Sequence, residues 1–499
     1  MGHFFPDRPE GVSETGVAEA QGAESRCSEN VVVPKGVGLQ APCLVRLVNI
    51  GIIGGGTVGG GVFQALSRNG GLMASRLGLD LRITRVAVRS LKKKRAVAIP
   101  AKLLTTDWKS VVASPDVDVV VELMGGTTLA KEVVLAALAA GKPVVTANKA
   151  LLSAHGEELF AAATKHGVNL YYEASVAGGI PVIKVLRESL IGNRVTRLYG
   201  IVNGTCNFIL TKMKHEGADY AEVLADAQQL GYAETPPDLD VDGHDAAHKT
   251  GILASLAHGF WVQPEQVFTE GIRNVTQLDI QFAEQLGYTI KLLGIVKTSS
   301  EDGTWNAEKS GIGHRASGIR HRASGIQVSV YPALVPNSHV LASVNDVYNA
   351  VLVRGDVVGD TLFYGRGAGQ DATASSVLSD LADAALDLKC GSHHRVPSFV
   401  CHERNGKVMS IDDAVSRYYL RLSVVDKPGV MARITSILGR AKIGISSVIQ
   451  QEGEEGDTVP LVLMIHDATN RTMNKALAAL AKLSVVKAAP VMIRVESFE

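Results

Sequence analysis

One stretch of this 499-residue sequence restricts the fold more than any other. The β-branched run Val45-Arg46-Leu47-Val48-Asn49-Ile50-Gly51-Ile52-Ile53 is followed at once by Gly54-Gly55-Gly56-Thr57-Val58-Gly59. The run is long enough for a buried strand and is bounded by glycines. The glycines satisfy G-x-G-x-x-G between that strand and a helix expected over 57–68, the context that makes a weak pattern a dinucleotide fingerprint. Gly54 permits the tight turn, Gly56 lets a pyrophosphate approach the backbone, and Gly59 allows close packing of helix on strand. The N–H groups of Thr57 and Val58 then face the phosphate charge. The flanking elements favour this reading over a flexible loop.

The pattern repeats downstream. Strands are expected at 82–88, 117–122 and 143–146, with a helix over 129–140 between the last two. Strands alternating with helices through such short connections read as an α/β fold, a Rossmann-type doubly wound parallel sheet. This NAD(P)-binding unit is set at 44–150, completed by about 365–390, where a glycine loop precedes a helix over 371–388. Residues 151–364 mix short strands and helices and read as a second, α+β domain. A polar linker, 391–416, opens onto a final unit, 417–499, whose strand order matches the ferredoxin-like βαββαβ fold. Residues 1–43 bury too little apolar surface to offset their ordering entropy and read as a disordered tail. The polar stretch 298–326 carries a short tandem repeat, His314–Ile319 and His321–Ile326. Two copies cannot build a solenoid, so a surface-loop expansion is preferred to a basic binding site.

Composition excludes several classes of function. Lys and Arg number 50 against 50 Asp and Glu, which leaves no basic surplus for nucleic acid. Aromatic residues at 5% give few stacking platforms for single strands. No apolar run approaches the ~20 residues needed to span a bilayer. Cys27, Cys43, Cys206, Cys390 and Cys401 are widely spaced and form no C-x-x-C pair, so neither a disulfide framework nor a zinc site is expected. The reading is a cytoplasmic protein that handles a small molecule, with no nucleic-acid or membrane partner.

Two regions carry chemistry. The second strand ends Ala87-Val88-Arg89-Ser90, followed by Lys92, Lys93 and Lys94. NAD-specific sites usually place an acid here for the ribose 2′-OH, so Arg89 leans towards NADP, with NAD still open. A solvated basic loop explains the three lysines equally well. The densest ionisable cluster is Leu230-Gly231-Tyr232-Ala233-Glu234-Thr235-Pro236-Pro237-Asp238-Leu239-Asp240-Val241-Asp242-Gly243-His244-Asp245-Ala246-Ala247-His248-Lys249. Asp245 and Lys249 are four apart and share one helix face. A surface salt bridge would account for the pair alone, but the helix continues through the apolar stretch 250–257. A lysine on a buried helix is desolvated and needs partners, which is one way to prepare a general acid.

The same block, Ala227-x-x-x-Gly231-Tyr232-Ala233 and then Pro237-x-x-Asp240-Val241-x-Gly243-x-Asp245-x-x-x-Lys249, resembles the signature of homoserine dehydrogenases. Pro236 departs from it, standing where the family usually has Asp, Asn or Ser. Thr146-Ala147-Asn148-Lys149-Ala150-Leu151-Leu152, Tyr172–Pro181, Gly200–Leu210 and the loop Gly365-Arg366-Gly367-Ala368-Gly369 are similar to further blocks of that family. The likeness spans about 46–400.

The resemblance implies NAD(P)-dependent interconversion of L-aspartate 4-semialdehyde and L-homoserine, within threonine, methionine and isoleucine biosynthesis. It assigns residues 151–364 to substrate binding and dimerisation. It makes Lys249 the proton donor to the carbonyl oxygen, with Asp245 beside it or on the substrate. Lys149 would touch substrate and nicotinamide, although a structural turn explains it as well. Glu234 would hold the substrate ammonium, Thr205, Gly204 and Tyr232 would line the pocket, and Gly367 and Gly369 would meet the cofactor. A monovalent cation, usually sodium, is implied near Glu173 and the carbonyls of Val176, Gly178 and Ile180; a rigid, ion-free loop is the alternative.

The last unit resembles an ACT domain, a small ligand-binding module. Asp426-Lys427-Pro428-Gly429-Val430 joins its first strand to its first helix. Asp426, Gly429 and Val430 are therefore the expected contacts of an amino-acid effector, with threonine the natural hypothesis and pure assembly the alternative. Such modules usually pair across chains, so a homodimer or homotetramer is expected. Two rival functions fit the residues less well. An ACT-tailed hydroxy-acid dehydrogenase would want a His–Glu pair and an arginine, which the 234–249 block lacks. A non-catalytic sensor would tolerate loss of the lysine or the glycine loop, and both are intact. Residues 1–43 are too few for an aspartokinase-like region, so a bifunctional chain is not expected.

Overall fold

The computed structural model describes residues 46–298, 325–392, 395–451, 454 and 456–498. The tail 1–43 and all but the ends of the 298–326 stretch lie outside the described residues.

The first sheet is built from β1 (Arg46–Ile53), α1 (Thr57–Leu77), β2 (Leu79–Ala87), β3 (Leu104–Thr105), α2 (Trp108–Ala113), β4 (Val119–Glu122), α3 (Thr128–Ala139), β5 (Val144–Thr146), α4 (Lys149–Lys165) and β6 (Leu170–Tyr171). Its order is β3-β2-β1-β4-β5-β6, and every pairing is parallel. The doubly wound sheet expected from the sequence is therefore present. Strand residues alternate between its faces. Val119 and Val121 pack with Ile50, Ile52, Val62 and Leu66 of the α1 side. Val120 packs with Val133, Val134 and Leu138 of α3. The order reverses between β1 and β4, and the crevice at their carboxyl ends is where such sheets bind ligands.

The chain continues through α5 (Val182–Lys184), β7 (Val195–Ile201), α6 (Gly204–Glu216), α7 (Tyr220–Gln229), α8 (Asp238–Val241), α9 (His244–His258), β8 (Phe268–Thr269), α10 (Gln277–Gln285), β9 (Tyr288–Thr298), β10 (Gly325–Pro336), β11 (Tyr348–Gly355), β12 (Gly359–Arg366) and α11 (Gln370–Cys390). β9 and β10 pair antiparallel from Tyr288 with Pro336 to Thr298 with Ile326, so the polar stretch joins the two ends of a hairpin. α11 returns to the first sheet, where Val377, Leu381, Ala384 and Ala385 are buried among the β1 and α1 side chains.

Residues 395–416 are tied down along their course. Ser398 Oγ accepts from Leu170 N at 2.9 Å, and Tyr172 donates its hydroxyl to Ser398 O at 2.8 Å. β13 (Lys407–Val408) pairs with β10. The last unit is β14 (Val415–Val425), α12 (Val430–Arg440), β15 (Ile445–Gln450), β16 (Thr458–Thr469), α13 (Asn470–Leu480) and β17 (Val491–Val495), the βαββαβ order read from the sequence. Its antiparallel sheet does not stand apart. β17 pairs in parallel with β10 through Ala333–Arg494 and Leu334–Val495, so one 11-stranded sheet runs through both regions. Arg421 on β14 adds a bidentate ion pair with Asp279 on α10, at 2.6 and 2.9 Å.

Candidate active site

Two arrangements meet at the carboxyl edge of the first sheet. The first is made of backbone. Gly54 has φ +116, a region that L side chains avoid, and its N–H bonds Ala87 O at 2.9 Å. A Cβ on Gly59 would sit 1.9 Å from Gly54 O, so the third glycine lets α1 close onto the loop itself. A Cβ on Gly56 would meet nothing within 4 Å. The first turn of α1 faces this open space with no side-chain cap and no acidic residue, which suits an anion. α11 begins beside it. Gly369, at φ +112, caps that helix, and a Cβ on Gly61 of α1 would touch Gln370 Cγ at 2.6 Å. Gly367 is pressed against Asn349. Arg89 is exposed two residues beyond β2, as are Lys92, Lys93 and Lys94.

The second arrangement is made of charge. α9 carries Asp245 and Lys249 on one face, 5% and 8% exposed. Lys249 Nζ bonds Asp245 Oδ2 at 2.7 Å and Val202 O at 2.7 Å. Of the three N–H bonds of an ammonium, one is thus left for another oxygen among the described residues. Lys149 Nζ approaches the other oxygen, Asp245 Oδ1, at 3.1 Å. Lys149 is the first residue of α4, whose N-cap Asn148 accepts from Leu151 N. Burial alone would raise the Asp245 carboxyl, but the two ammonium groups and hydrogen bonds outweigh it and hold it well below the usual carboxylate range. Lys149 is pushed up, chiefly by Asp245, against desolvation and with help from Asp240 and Glu234.

The remaining expected residues lie around this centre. Glu234 is exposed and close enough to act on Lys149 electrostatically. Thr205 donates its hydroxyl to Tyr232 O at 2.6 Å, and Tyr232, 45% exposed, stands edge-on to Phe208. Gly204 opens α6, where a Cβ would lie 2.9 Å from Val347 O. The peptide before Pro236 is cis. Two residues that sequence reasoning passed over complete the cluster. Asn203 donates to Asp240 Oδ1 at 2.8 Å and to Asp245 Oδ2 at 2.9 Å. Asp240 lay inside the quoted signature without a role. The short α8 turns it inward, while Asp238 and Asp242 pair outward with Arg273.

Glu173 is 2% exposed and burial pushes its carboxyl up to about 7. Its oxygens accept from Ile183 N at 3.0 Å and Lys184 N at 2.7 Å. Gly178 O accepts from Ser376 Oγ, and Ile180 O from Val182 N. In the last unit, Asp426, Gly429 and Val430 line a cavity of about 420 Å³ with Gln450, whose amide donates to Asp426 Oδ1 at 3.0 Å.

Comparison with known proteins places the regions that hold both arrangements in known families. Residues 181–382 match the homoserine dehydrogenase family model, 54–173 the homoserine dehydrogenase NAD-binding domain, and 418–485 the ACT domain. The homoserine dehydrogenase of Pseudomonas aeruginosa is 44% identical over 456 residues, 91% of this chain and 99% of that protein.

The chain belongs to the homoserine dehydrogenases.

As a homoserine dehydrogenase it is an oxidoreductase that acts on a CH–OH group with a nicotinamide cofactor, interconverting L-aspartate 4-semialdehyde and L-homoserine. A crystal structure of the Thiobacillus denitrificans homoserine dehydrogenase is similar, with TM-score 0.81 and 42% identity over 91% of this chain and 99% of that one. A hyperthermophilic archaeal homoserine dehydrogenase, solved in complex with NADPH, is similar with TM-score 0.54 and 26% identity, covering 68% of this chain and 98% of that one. Among the described residues no helix is long and apolar enough to cross a membrane.

Proposed function

We propose that Lys249 is the proton donor of this homoserine dehydrogenase and that Asp245 fixes its position while holding Lys149 in its charged form. The observation that carries this is the Lys249–Asp245–Lys149 bridge, buried at Lys249 and Asp245, in which Lys249 keeps one N–H uncommitted among the described residues. Bound nicotinamide supplies or accepts the hydride. In reduction Lys249 delivers a proton to the forming alkoxide, and in oxidation it takes that proton back. Lys149 faces substrate and nicotinamide from the start of α4. Glu234 attracts the substrate ammonium, a charge-assisted contact, while Thr205, Gly204 and Tyr232 shape the pocket.

Gly54, Gly56, Thr57, Val58 and Gly59 hold the pyrophosphate, Gly367 and Gly369 close over it, and Arg89 takes a 2′-phosphate. NADP is preferred, a reading supported by the exposed arginine where an acid would serve NAD. Glu173 and the carbonyls of Val176, Gly178 and Ile180 offer hard oxygen donors on one buried turn, a set that suits sodium; the ion would fix this turn beneath α11. The ACT cavity binds an amino-acid effector, threonine, through Asp426, Gly429 and Val430. The functional units are 44–150 with 365–390, 151–364 and 417–499. The outward Leu362 and Tyr364 of edge strand β12 favour a homodimer or homotetramer, working in the synthesis of threonine, methionine and isoleucine.

The test is reduced-nicotinamide absorbance with aspartate semialdehyde, comparing the full chain with Lys249→Ala. NADPH oxidation falls at least ~100-fold in the variant, as loss of a general acid requires. An equally active variant would move the proton to Lys149 or to water. The same assay with added threonine, and with sodium replaced by a bulky organic cation, reads the effector and ion assignments; no response in either removes that assignment.

A further inference from the structure

Glu122, the last residue of β4, is a buried ionisable group that the proton-transfer scheme leaves unused. It is 0% exposed. Its Oε1 accepts from Met124 N at 2.6 Å and its Oε2 from the Thr146 hydroxyl at 2.7 Å. Thr146 Oγ1 also accepts from Asn148 N at 3.0 Å, so its hydroxyl serves as donor to Glu122 and acceptor from Asn148 at once. Asn148 in turn donates its amide to Gly126 O at 2.8 Å and accepts from Leu151 N at 3.1 Å. The next residue is Lys149, whose ammonium reaches Asp245.

We infer that Glu122 is a positioning residue, which through Thr146 and Asn148 fixes the start of α4 and so aims Lys149 at the reacting centre. The end of β4 is tied here to the short turn that leads from the end of β5 into α4, although 24 residues separate Glu122 from Thr146. Both carboxylate oxygens act as acceptors, so a carboxylate satisfies the site completely. A glutamine has one acceptor oxygen and would leave either the Thr146 hydroxyl or the Met124 N–H without its partner. Burial pushes the Glu122 carboxyl up to about 7, against the hydrogen bonds that lower it. Retaining a desolvated acid where an apolar side chain would pack at no such cost is consistent with a demand for this geometry. A displacement on the order of 1 Å at a reacting group can cost ~100-fold in rate, so control of the Lys149 backbone is where such a chain acts.

The inference rests on the assignment of Lys149 to the reacting centre, and the experiment separates the two. Steady-state kinetics are measured on the full chain for Glu122→Gln, Thr146→Val, Thr146→Ser, Lys149→Ala and Glu122→Gln with Lys149→Ala. Glu122→Gln and Thr146→Val each lower kcat about tenfold or more, with KM for the semialdehyde changed less than about threefold. Thr146→Ser, which keeps the hydroxyl, restores most of the rate. On the Lys149→Ala background Glu122→Gln costs less than about twofold, because residues acting through one another are not additive. That last result separates positioning from a general loss of stability, which would multiply through. Wild-type kcat in Glu122→Gln, or two losses that multiply in full, overturns the inference. Wild-type kcat in Lys149→Ala overturns it as well, by removing the reading beneath it. If Glu122→Gln does not fold, Thr146→Val alone and combined with Lys149→Ala carries the same test, since it keeps the carboxylate and its Met124 contact.

Discussion

The glycine crevice and the lysine–aspartate centre come from well-separated parts of the sequence and solve opposite problems. The crevice is assembled from consecutive residues, 54–59, and works through what is missing: no side chain fills the space at Gly56, and none caps α1. Its field is that of backbone N–H groups, oriented before any ligand arrives. The centre draws on Lys149, Asn203, Asp240, Asp245 and Lys249 from four separate elements or loops. It works through what is present, since a buried ammonium and a half-buried one gather around the carboxylate they share. Substitutions should therefore fail differently. In the crevice an added atom does the damage, and in the centre a removed charge does.

Asp245→Asn should break the comparison most severely. Leaving the buried Lys249 ammonium without its carboxylate costs about 3 kcal/mol of stability, and kcat should fall by at least ~100-fold. The stability loss is read as the shift in urea midpoint. Asp245 is held below its unfolded value, so its contribution is fully present above about pH 4 and is lost as pH falls through the folded value. The gap between wild type and variant should accordingly be constant from pH 5 to 8 and narrow in acid. The same gap at pH 7 and pH 3 would show that the carboxylate charge is not what matters.

Gly59→Ala comes next. Its methyl group would meet Gly54 O, a backbone atom that cannot swing aside. A penalty of about 1–3 kcal/mol, if it falls on the bound state, weakens NADPH affinity about 5- to 150-fold, followed by cofactor fluorescence. Unchanged affinity would mean that the loop adapts and that backbone closeness is not the basis of binding. The smallest effect belongs to Arg89→Ala, a side chain at the crevice's rim. Loss of one exposed charge-assisted contact should raise KM for NADPH about 5–10-fold and leave KM for NADH within about twofold. An equal change for both cofactors would assign Arg89 to solvent.

Much of this was legible because it is local. A β-branched run, glycines and a helix start lie within one window, and the apolar continuation after Lys249 was enough to place that lysine on a buried helix, as α9 now displays. The misses are instructive. α1 was expected to stop at 68, before Asn69-Gly70-Gly71, but runs to Leu77. Two interior glycines cost about 1 kcal/mol each, and packing of Met73 and Leu77 against the α11 side of the sheet offsets it. Asp240 could not be separated from Asp238 and Asp242 in the sequence. Only the turn of α8 sends one to Asn203 and the others to Arg273.

The amino-acid sequence by itself determined the parallel nucleotide-binding sheet, the glycine turn, the lysine–aspartate helix face and the βαββαβ order of the last unit. Each of these follows from periodicity, turn chemistry or spacing within about 20 residues. Tertiary structure decided which oxygen of Asp245 each lysine takes, which aspartate turns inward, how Glu122 reaches Lys149, and that β17 joins β10 in a common sheet. Those contacts link residues that share no local pattern, and they form only when burial makes an unpartnered polar group costly.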